Sequence, residues 1–427
     1  MSARDFLSDF HEVAKIGATP RNGVDRQAAT PEDKLTRDWF RRWAEERDFQ
    51  VRTDGIGNMF ACWEWVPGAP YILIGSHLDS QPLAGRFDGA YGVLAGLHAA
   101  SSIIDRVKVE SANPTFNLAV VNWFNEEGSR FPPSVMGSSV FTGIFEGDDM
   151  RAVRDLDGVS VVEALESIGY LGTDVPPVAA GYAEIHIEQG RILEREQVDI
   201  GVVDSSWYTQ KLDIEVLGEQ SHTGATAMAD RRDALVAASR IVLSVRNVTL
   251  RFPEEALVSS VGHLVVEPNS PIVVARRVHL VADIRSADPN IVAEARRAVL
   301  EDIAAIEQQD NVEVRVKDFD IRPIRRFPED GISLAEAAVA TVGLASRRMQ
   351  TMAGHDSVAM NTRVPSIMMF VPSVDGVSHC EREFTNDDDL ERGLRVLTEV
   401  TWRLIHGAIA NDRVWPSVTS ASETDAL

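Results

Sequence analysis

The sequence has few of the features that mark secreted or membrane-spanning proteins. Its 427 residues include two cysteines, Cys62 and Cys380, too few for a disulfide framework and typical of a reducing compartment. No apolar run approaches the length of a membrane span, and the charged N-terminal segment lacks the apolar core of a signal peptide. These absences predict a cytoplasmic protein.

Positive charge is also scarce in this chain. Lys and Arg number 42 against 65 Asp and Glu, which gives a net charge of −23. So acidic a protein is not expected to bind nucleic acid or an anionic membrane without regard to sequence. A small anionic substrate would therefore need a local cation of its own.

The length and the hydrophobic pattern predict two domains. A chain of 427 residues exceeds what a single core usually supports. Strand and helix patterns in residues 1–207, resumed in 323–415, predict an α/β catalytic domain with a doubly wound mixed sheet. Residues 208–322 follow the order strand, helix, strand, strand, helix, strand, which is ferredoxin-like and predicts an inserted domain. Residues 416–427 are predicted to be a polar tail.

One glycine-rich stretch concentrates groups that can do chemistry. Residues 75–89 read GSHLDSQPLAGRFDG and follow an apolar run that indicates a buried strand. His77, Asp79 and Asp88 are thus predicted just past a strand's carboxyl end, where open α/β sheets bind ligands. A histidine and two carboxylates there suggest a metal site. The alternative is a polar loop whose side chains bond only to one another, and this stretch alone does not decide between the two.

Three further predicted strands also end beside possible ligands. The apolar segment FNLAVVNWF precedes Glu126 and Glu127, an alternating strand contains His186 near its end, and PSIMMFVP precedes the loop with His379. Each residue alone has an ordinary explanation, since a histidine is often structural and a Glu pair is often solvated surface. Because the pattern recurs at four strand ends, the sequence as a whole favours a metal site.

The combination of these residues matches the needs of two-metal hydrolysis. Two divalent ions about 3.5–4 Å apart can activate water and polarise a carbonyl. Asp88 is the expected bridge, with His77 and His186 for one metal and Glu127 and His379 for the other. Imidazole and carboxylate ligands without thiolates predict zinc, with manganese, cobalt or nickel as alternatives.

Two acidic residues remain for other tasks. Glu126 is expected to act as the general base that takes a proton from water and later passes it to the leaving nitrogen. Asp79, two residues after His77, is expected to accept the other N–H of that imidazole and so fix its tautomer.

Six motifs in chain order resemble one amidohydrolase branch of the two-metal aminoacylase/carboxypeptidase-like peptidases. That branch contains N-carbamoyl-L-amino-acid hydrolases, allantoate amidohydrolases and β-ureidopropionases. The motifs are GSHLDSQPLAGRFDG at 75–89, NEEGSRF at 125–131, HIEQG at 186–190, SHTGATAM at 221–228, GHDS at 354–357 and FVPSVDGVSHCERE at 370–383. The resemblance implies the metal roles given above, Glu126 as general base, and a homodimer formed through the inserted lid domain.

The resemblance also implies five substrate contacts, with His222 reaching the active site of the partner subunit. They are Gln189, His222, Asn269, Arg285 and His355. A guanidinium such as that of Arg285 can grip a substrate carboxylate in a bidentate fork, although a salt bridge with Asp283 or Asp288 is the alternative. His222 could stabilise an oxyanion, or it could make only a hydrogen bond at a helix entry.

We therefore expect a homodimeric two-metal amidohydrolase. It would cleave a carbamoyl or ureido C–N bond of a small carboxylate substrate, such as an N-carbamoyl-L-amino acid, allantoate or a ureidopropionate. One alternative is an aminoacylase or dipeptidase that uses the same metals. Another, from a different functional class, is a binding protein that retained the fold without catalysis.

Overall fold

The computed structural model describes residues 3–409 and contains two compact units. The first unit includes residues 3–204, 326–349 and 354–409, and the second is Ser205–Arg325 with Gln350–Ala353. The predicted polar tail at 416–427 lies outside the described residues. Within the described part of the chain, no helix combines the length and the apolar character that a bilayer crossing requires.

Helices and strands alternate along most of the chain. The helices are α1 Ala3–Val13, α2 Pro31–Glu45, α3 Ala90–Glu110, α4 Met136–Thr142, α5 Gly147–Ala152, α6 Val161–Ile168, α7 Ile192–Glu196, α8 Ala234–Asn247, α9 Pro289–Asp310, α10 Glu329–Thr341, α11 Asp356–Met360 and α12 Asp387–Ile405. The strands are β1 Gln50–Thr53, β2 Met59–Trp63, β3 Tyr71–His77, β4 Asn117–Trp123, β5 Ala179–Ile187, β6 Ile200–Ser206, β7 Tyr208–Leu217, β8 Ser221–His222, β9 Val258–Glu267, β10 Val273–Val274, β11 Arg277–Ser286, β12 Glu313–Arg322, β13 Ser346–Thr351 and β14 Ser366–Val371.

The first unit is built on an eight-stranded mixed sheet with the order β1-β2-β4-β3-β5-β14-β6-β13. Its central strands β4, β3, β5 and β14 are mutually parallel, whereas β2 and β6 pair antiparallel with their neighbours. Parallel strands end on the same edge of a sheet, so the loops after these four strands meet there. The expectation of an α/β protein with a large mixed sheet is confirmed.

The core of this unit explains why the central strands are continuous apolar runs. Strands β3, β4 and β14 are buried along their whole length, as strands covered on both faces are. Helix α3 packs on β3 with small and apolar residues such as Leu94, Leu97 and Ile103, which are fully buried. The strand predicted from the apolar run before residue 75 extends to His77, because its parallel pairing with β4 continues to that residue.

The second unit contains a four-stranded antiparallel sheet with the order β12-β7-β11-β9. Along the chain its main elements follow the order β7, α8, β9, β11, α9, β12. In β11, Val278, Leu280, Ala282 and Ile284 are fully buried and pack in one core with α8 and α9. The alternate residues of β11, among them Arg285, are half-buried and point to the opposite face.

Candidate metal centre

The structure brings all five predicted metal ligands together at the carboxyl edge of the parallel strands. They form two groups of three, and in each group one ligand atom per residue lies within 4.8 Å of the others. The first group is His77, Asp88 and His186, and the second is Asp88, Glu127 and His379. Asp88 belongs to both groups, which is the arrangement expected of a bridging carboxylate.

The two oxygens of Asp88 face different groups. Its Oδ1 lies 3.0 Å from Nε2 of His186 and 3.4 Å from Nε2 of His77. Its Oδ2 lies 3.3 Å from Nε2 of His379, and that nitrogen lies 3.4 Å from Oε2 of Glu127. One carboxylate can therefore contribute an oxygen to each of two adjacent ions.

Backbone contacts orient the two buried histidines toward Asp88. The Nδ1–H of His77 donates to the main-chain oxygen of Asp79 at 2.9 Å, and that of His186 donates to the main-chain oxygen of Ile187 at 2.9 Å. This leaves Nε2, the nitrogen that faces Asp88, to hold either a proton or a metal ion. These ring orientations and the donor set, imidazole and carboxylate without thiolate, fit a divalent metal.

The loop before α3 is shaped to admit this cluster. Gly89 has φ of 64°, in the left-handed region, and a Cβ at this position would lie 2.3 Å from the His77 ring. Only glycine satisfies both the conformation and the space. The sequence can thus place Asp88 just before α3 and directly against the two histidines.

Electrostatics ties the carboxylates and imidazoles into one interacting set. Burial opposes ionisation of Asp88, but the adjacent His186 and hydrogen bonds from three histidines hold the pKa of Asp88 well below its ordinary value. Burial, followed by the charge of Asp88, raises the pKa of Glu127. Burial disfavours protonation of His379, yet its hydrogen bond to Asp88 and the charge of Glu127 raise its pKa to about 9. The carboxylates of this centre therefore favour positive charge beside them.

Glu126 lies next to both groups but belongs to neither of them. Its Oε2 is 3.6 Å from Nε2 of His77. Burial raises the pKa of Glu126 well above the ordinary value. The charge of His77 opposes this rise, and the negative charge of Asp356 adds to it. A carboxylate in this position can exchange a proton with a group bound at the centre.

Asp79 contacts the centre in a different way from the one predicted. Its main-chain oxygen, not its carboxylate, accepts the imidazole N–H of His77, since the carboxylate oxygen is 3.7 Å away, beyond hydrogen-bond distance. The carboxylate accepts the main-chain N–H groups of Glu126 and Glu127, each at 3.2 Å. Asp79 thus accepts the imidazole N–H as predicted, but through its main chain, while its side chain fixes the loop that follows β4.

Two of the five predicted substrate contacts lie beside the centre. The Nε2 of Gln189 donates to Oδ2 of Asp88 at 2.7 Å, while its buried Oε1 has no hydrogen-bond partner among residues 3–409. His355 is buried, and its ring centroid is 4.7 Å from that of His186. Burial and the charge of His186 hold the pKa of His355 well below the ordinary value.

The other three predicted contacts belong to the second unit. The guanidinium of Arg285 makes two hydrogen bonds to Asp283, at 2.9 and 2.7 Å, and a third to the main-chain oxygen of Met352 at 3.0 Å. The salt-bridge alternative with Asp283 is therefore present. His222 is exposed in β8, and Asn269 is exposed just past the end of β9.

Sequence reasoning missed two buried acids behind the centre. Glu184, fully buried in β5, accepts the hydroxyl of Ser76 at 2.6 Å and the main-chain N–H of Ser357 at 2.9 Å. Asp356, also fully buried, accepts the hydroxyl of Ser138 at 2.6 Å. A glutamate two residues before His186, a proposed ligand, lies on the same face of its strand, and this spacing was the available signal for the first of them.

Known proteins resemble this chain over almost its whole length. The model of peptidase family M20/M25/M40 matches residues 73–403. A Mycolicibacterium smegmatis protein with the general name hydrolase is 48% identical over 412 residues, which cover 95% of this chain and 94% of that protein. An N-carbamoyl-L-amino-acid amidohydrolase of Rhizobium meliloti is 33% identical, with 90% of this chain and 92% of that protein covered. The crystal structure of an amidase of the hydantoinase/carbamoylase family from Burkholderia vietnamiensis is 35% identical, has a TM-score of 0.90, and covers 96% of this chain and 98% of its own.

Proposed function

The chain belongs to peptidase family M20/M25/M40, and from this premise we propose that it hydrolyses the carbamoyl or ureido C–N bond of a small carboxylate substrate. The resemblance found in the sequence is confirmed, and the protein is a hydrolase. An N-carbamoyl-L-amino acid is the substrate type we favour, with allantoate and ureidopropionate as alternatives. For such a carbamoyl substrate the products are the free amino acid, ammonia and carbon dioxide.

One observation carries this proposal. Two three-residue groups share Asp88, and Glu126 stands beside them without belonging to either. This arrangement provides ligands for two divalent ions and leaves one carboxylate free for proton transfer. A catalytically silent binding protein would have no need of that extra carboxylate at this position.

The chain's own residues divide the chemistry as follows. Two bound divalent ions, with zinc as the first choice, would lower the pKa of water and polarise the scissile carbonyl. Glu126 takes a proton from the attacking water and delivers it to the leaving nitrogen. Asp79 holds the main chain of Glu126 and Glu127, so that base and ligand keep a fixed spacing.

The second unit is proposed to supply substrate recognition. Arg285 presents five N–H donors, and Asp283 and Met352 occupy three of them in this structure. The remaining donors can bind a substrate carboxylate. Nδ1 of His222 accepts main-chain N–H groups of Gly224 and Ala225, both at 3.0 Å, so the ring hydrogen lies on Nε2. We propose that this N–H donates to an oxyanion in the active site of the partner subunit. Asn269, Gln189 and His355 are proposed to bind the rest of the substrate.

We also propose that the second unit is a ferredoxin-like lid through which the protein forms a homodimer. The order of its strands and helices supports the first part. Two apolar residues on one face of α8, Val236 and Leu243, are 50% and 59% exposed, which supports the second. The catalytic domain would then be residues 1–207 and 323–415.

A substrate panel tests the proposed reaction. Protein stripped of metal and reloaded with Zn²⁺, Mn²⁺, Co²⁺ or Ni²⁺ is assayed for ammonia release from N-carbamoyl amino acids, ureidopropionate and allantoate. The same preparations are assayed on N-acyl amino acids and dipeptides. Ammonia release from the first set is expected. Cleavage of only the second set would favour an aminoacylase or dipeptidase. A protein that binds none of the four metals and turns over no substrate after any of them is added would favour a binding protein.

A further inference from the structure

Glu383 is a buried acid that contacts two of the ligand loops without belonging to either metal group. Its side chain is 4% exposed. Oε1 accepts the main-chain N–H groups of Phe87 and Asp88, each at 3.1 Å. Oε2 accepts the hydroxyl of Ser378 at 2.8 Å and the main-chain N–H of His379 at 3.3 Å. One carboxylate thus joins the loop before α3 to the loop after β14.

The joined loops carry two ligands of the same group. Asp88 and His379, with Glu127, form the second group, and their side chains meet at 3.3 Å. The hydroxyl of Ser378 also lies 3.1 Å from Oδ2 of Asp88, so it sits between the two carboxylates. Moving Glu383 would therefore change the spacing of the main chains on which Asp88 and His379 depend.

The absence of a side chain at Gly85 leaves space for the Glu383 carboxylate. A Cβ on Gly85 would lie 2.0 Å from Oε1 of Glu383 and 2.4 Å from its Cβ. Any larger residue at position 85 would push the side chain of Glu383 away from the main-chain donors. The glycine therefore serves the Glu383 contact.

We propose that Glu383 is a positioning residue of the metal centre, which sets the spacing of Asp88 and His379 and thereby the affinity for metal. This inference rests on the proposed binding of metal by the two groups. Groups that hold metal ligands in place typically change metal affinity by about 10–100-fold when they are removed. In Glu383→Gln one carboxylate oxygen becomes an amide nitrogen, which cannot accept a hydrogen bond. Either the N–H groups of Phe87 and Asp88 or the donors of Ser378 and His379 then lose their acceptor.

The test measures Zn²⁺ affinity of the full-length protein by competition with a chromogenic chelator. Glu383→Gln is expected to bind Zn²⁺ about 10–100-fold more weakly than the wild type. Asp33→Asn is the matched control, because Asp33 is also fully buried, accepts the main-chain N–H of Ala29 at 2.7 Å and belongs to neither group. Its melting temperature, measured in excess chelator, should fall while its Zn²⁺ affinity stays at the wild-type value.

The outcomes separate this inference from the proposed function. A wild-type protein that binds none of Zn²⁺, Mn²⁺, Co²⁺ and Ni²⁺ would overturn both. If the wild type binds Zn²⁺ and Glu383→Gln binds it equally well, only the inference is overturned. Should Glu383→Gln fail to fold, Gly85→Ala displaces the same carboxylate and should weaken Zn²⁺ binding, and an unchanged affinity in that variant would overturn the inference.

Discussion

Replacing Asn58 by alanine should destabilise the first unit and also impair catalysis. Asn58 is fully buried in the turn between β1 and β2. Its amide donates to Oδ2 of Asp54 at 2.9 Å and to the main-chain oxygen of Gly137 at 3.1 Å, and its Oδ1 accepts the main-chain N–H of Phe124 at 3.0 Å. Phe124 stands two residues before Glu126, so this network holds the start of the loop that carries the proposed base.

The free energy of unfolding should fall by about 3–5 kcal/mol in this variant. A buried N–H left without a partner, here that of Phe124, costs about 1–3 kcal/mol. The lost hydrogen bond to the Asp54 carboxylate adds about 1.5–3 kcal/mol, and the neutral bond to Gly137 adds about 0.5–1.5 kcal/mol. The total lies below the sum of the upper values, because the site can relax and admit water.

Strand β4, which ends just before Phe124, offers a matched control at its start. Asn117 is also fully buried at the start of β4, where its side chain accepts the N–H groups of Trp65 and Val66 and donates to the main-chain oxygens of Val66 and Ala69. Urea denaturation should show a comparable loss for Asn117→Ala. Only Asn58→Ala should lower kcat of the folded fraction, by about 10–100-fold, since small misplacements of reacting groups have effects of that size. Equal kcat in both variants, or a loss of less than about 1 kcal/mol in Asn58→Ala, would refute this reasoning.

Two further predictions concern the second unit. Arg285→Ala should raise KM for carboxylate substrates by about 10–150-fold, the equivalent of one charge-assisted hydrogen bond worth about 1.5–3 kcal/mol. KM for a carbamoyl amide that lacks the carboxylate should not change. Steady-state kinetics on both substrates measures this, and an unchanged KM for the acid would exclude a role of the guanidinium in substrate binding. Leu243→Asp should weaken dimerisation by about 10–100-fold in sedimentation equilibrium, because burial of a leucine contributes about 1.5–3 kcal/mol. The control Leu156→Asp changes a residue of the first unit that is 95% exposed and should leave dimerisation unchanged. Identical sedimentation of the two variants would contradict the proposed interface.

The clustering of the five proposed ligands could be predicted from the sequence because each lies in or just after a strongly patterned strand. Buried strands are predicted by the apolar runs before Glu127 and His379 and by the segment that contains His186. Parallel strands deliver their ends to one edge, so sequence pattern and topology together bring distant residues near each other. The structure places all five proposed ligands at that edge.

What the sequence could not provide depends on local geometry or on long-range contacts. Spacing alone cannot tell whether His77 bonds to the carboxylate of Asp79 or to its main-chain oxygen, because the path of the turn decides this. Edge strand β13, with the sequence SRRMQT, has no apolar pattern to reveal it. Glu383 bonds to a residue 295 positions away in the chain, and no local signal reports such a contact.

Glu126 is proposed to transfer protons at a metal centre that hydrolyses a carbamoyl or ureido C–N bond. The most direct test compares ammonia release from an N-carbamoyl-L-amino acid by the wild type and by Glu126→Gln, with the metal content of both determined on the same samples. We predict that both proteins hold the same amount of metal and that the variant loses about 10²–10⁴-fold in kcat. Equal turnover by the two proteins would contradict the proposed role of Glu126.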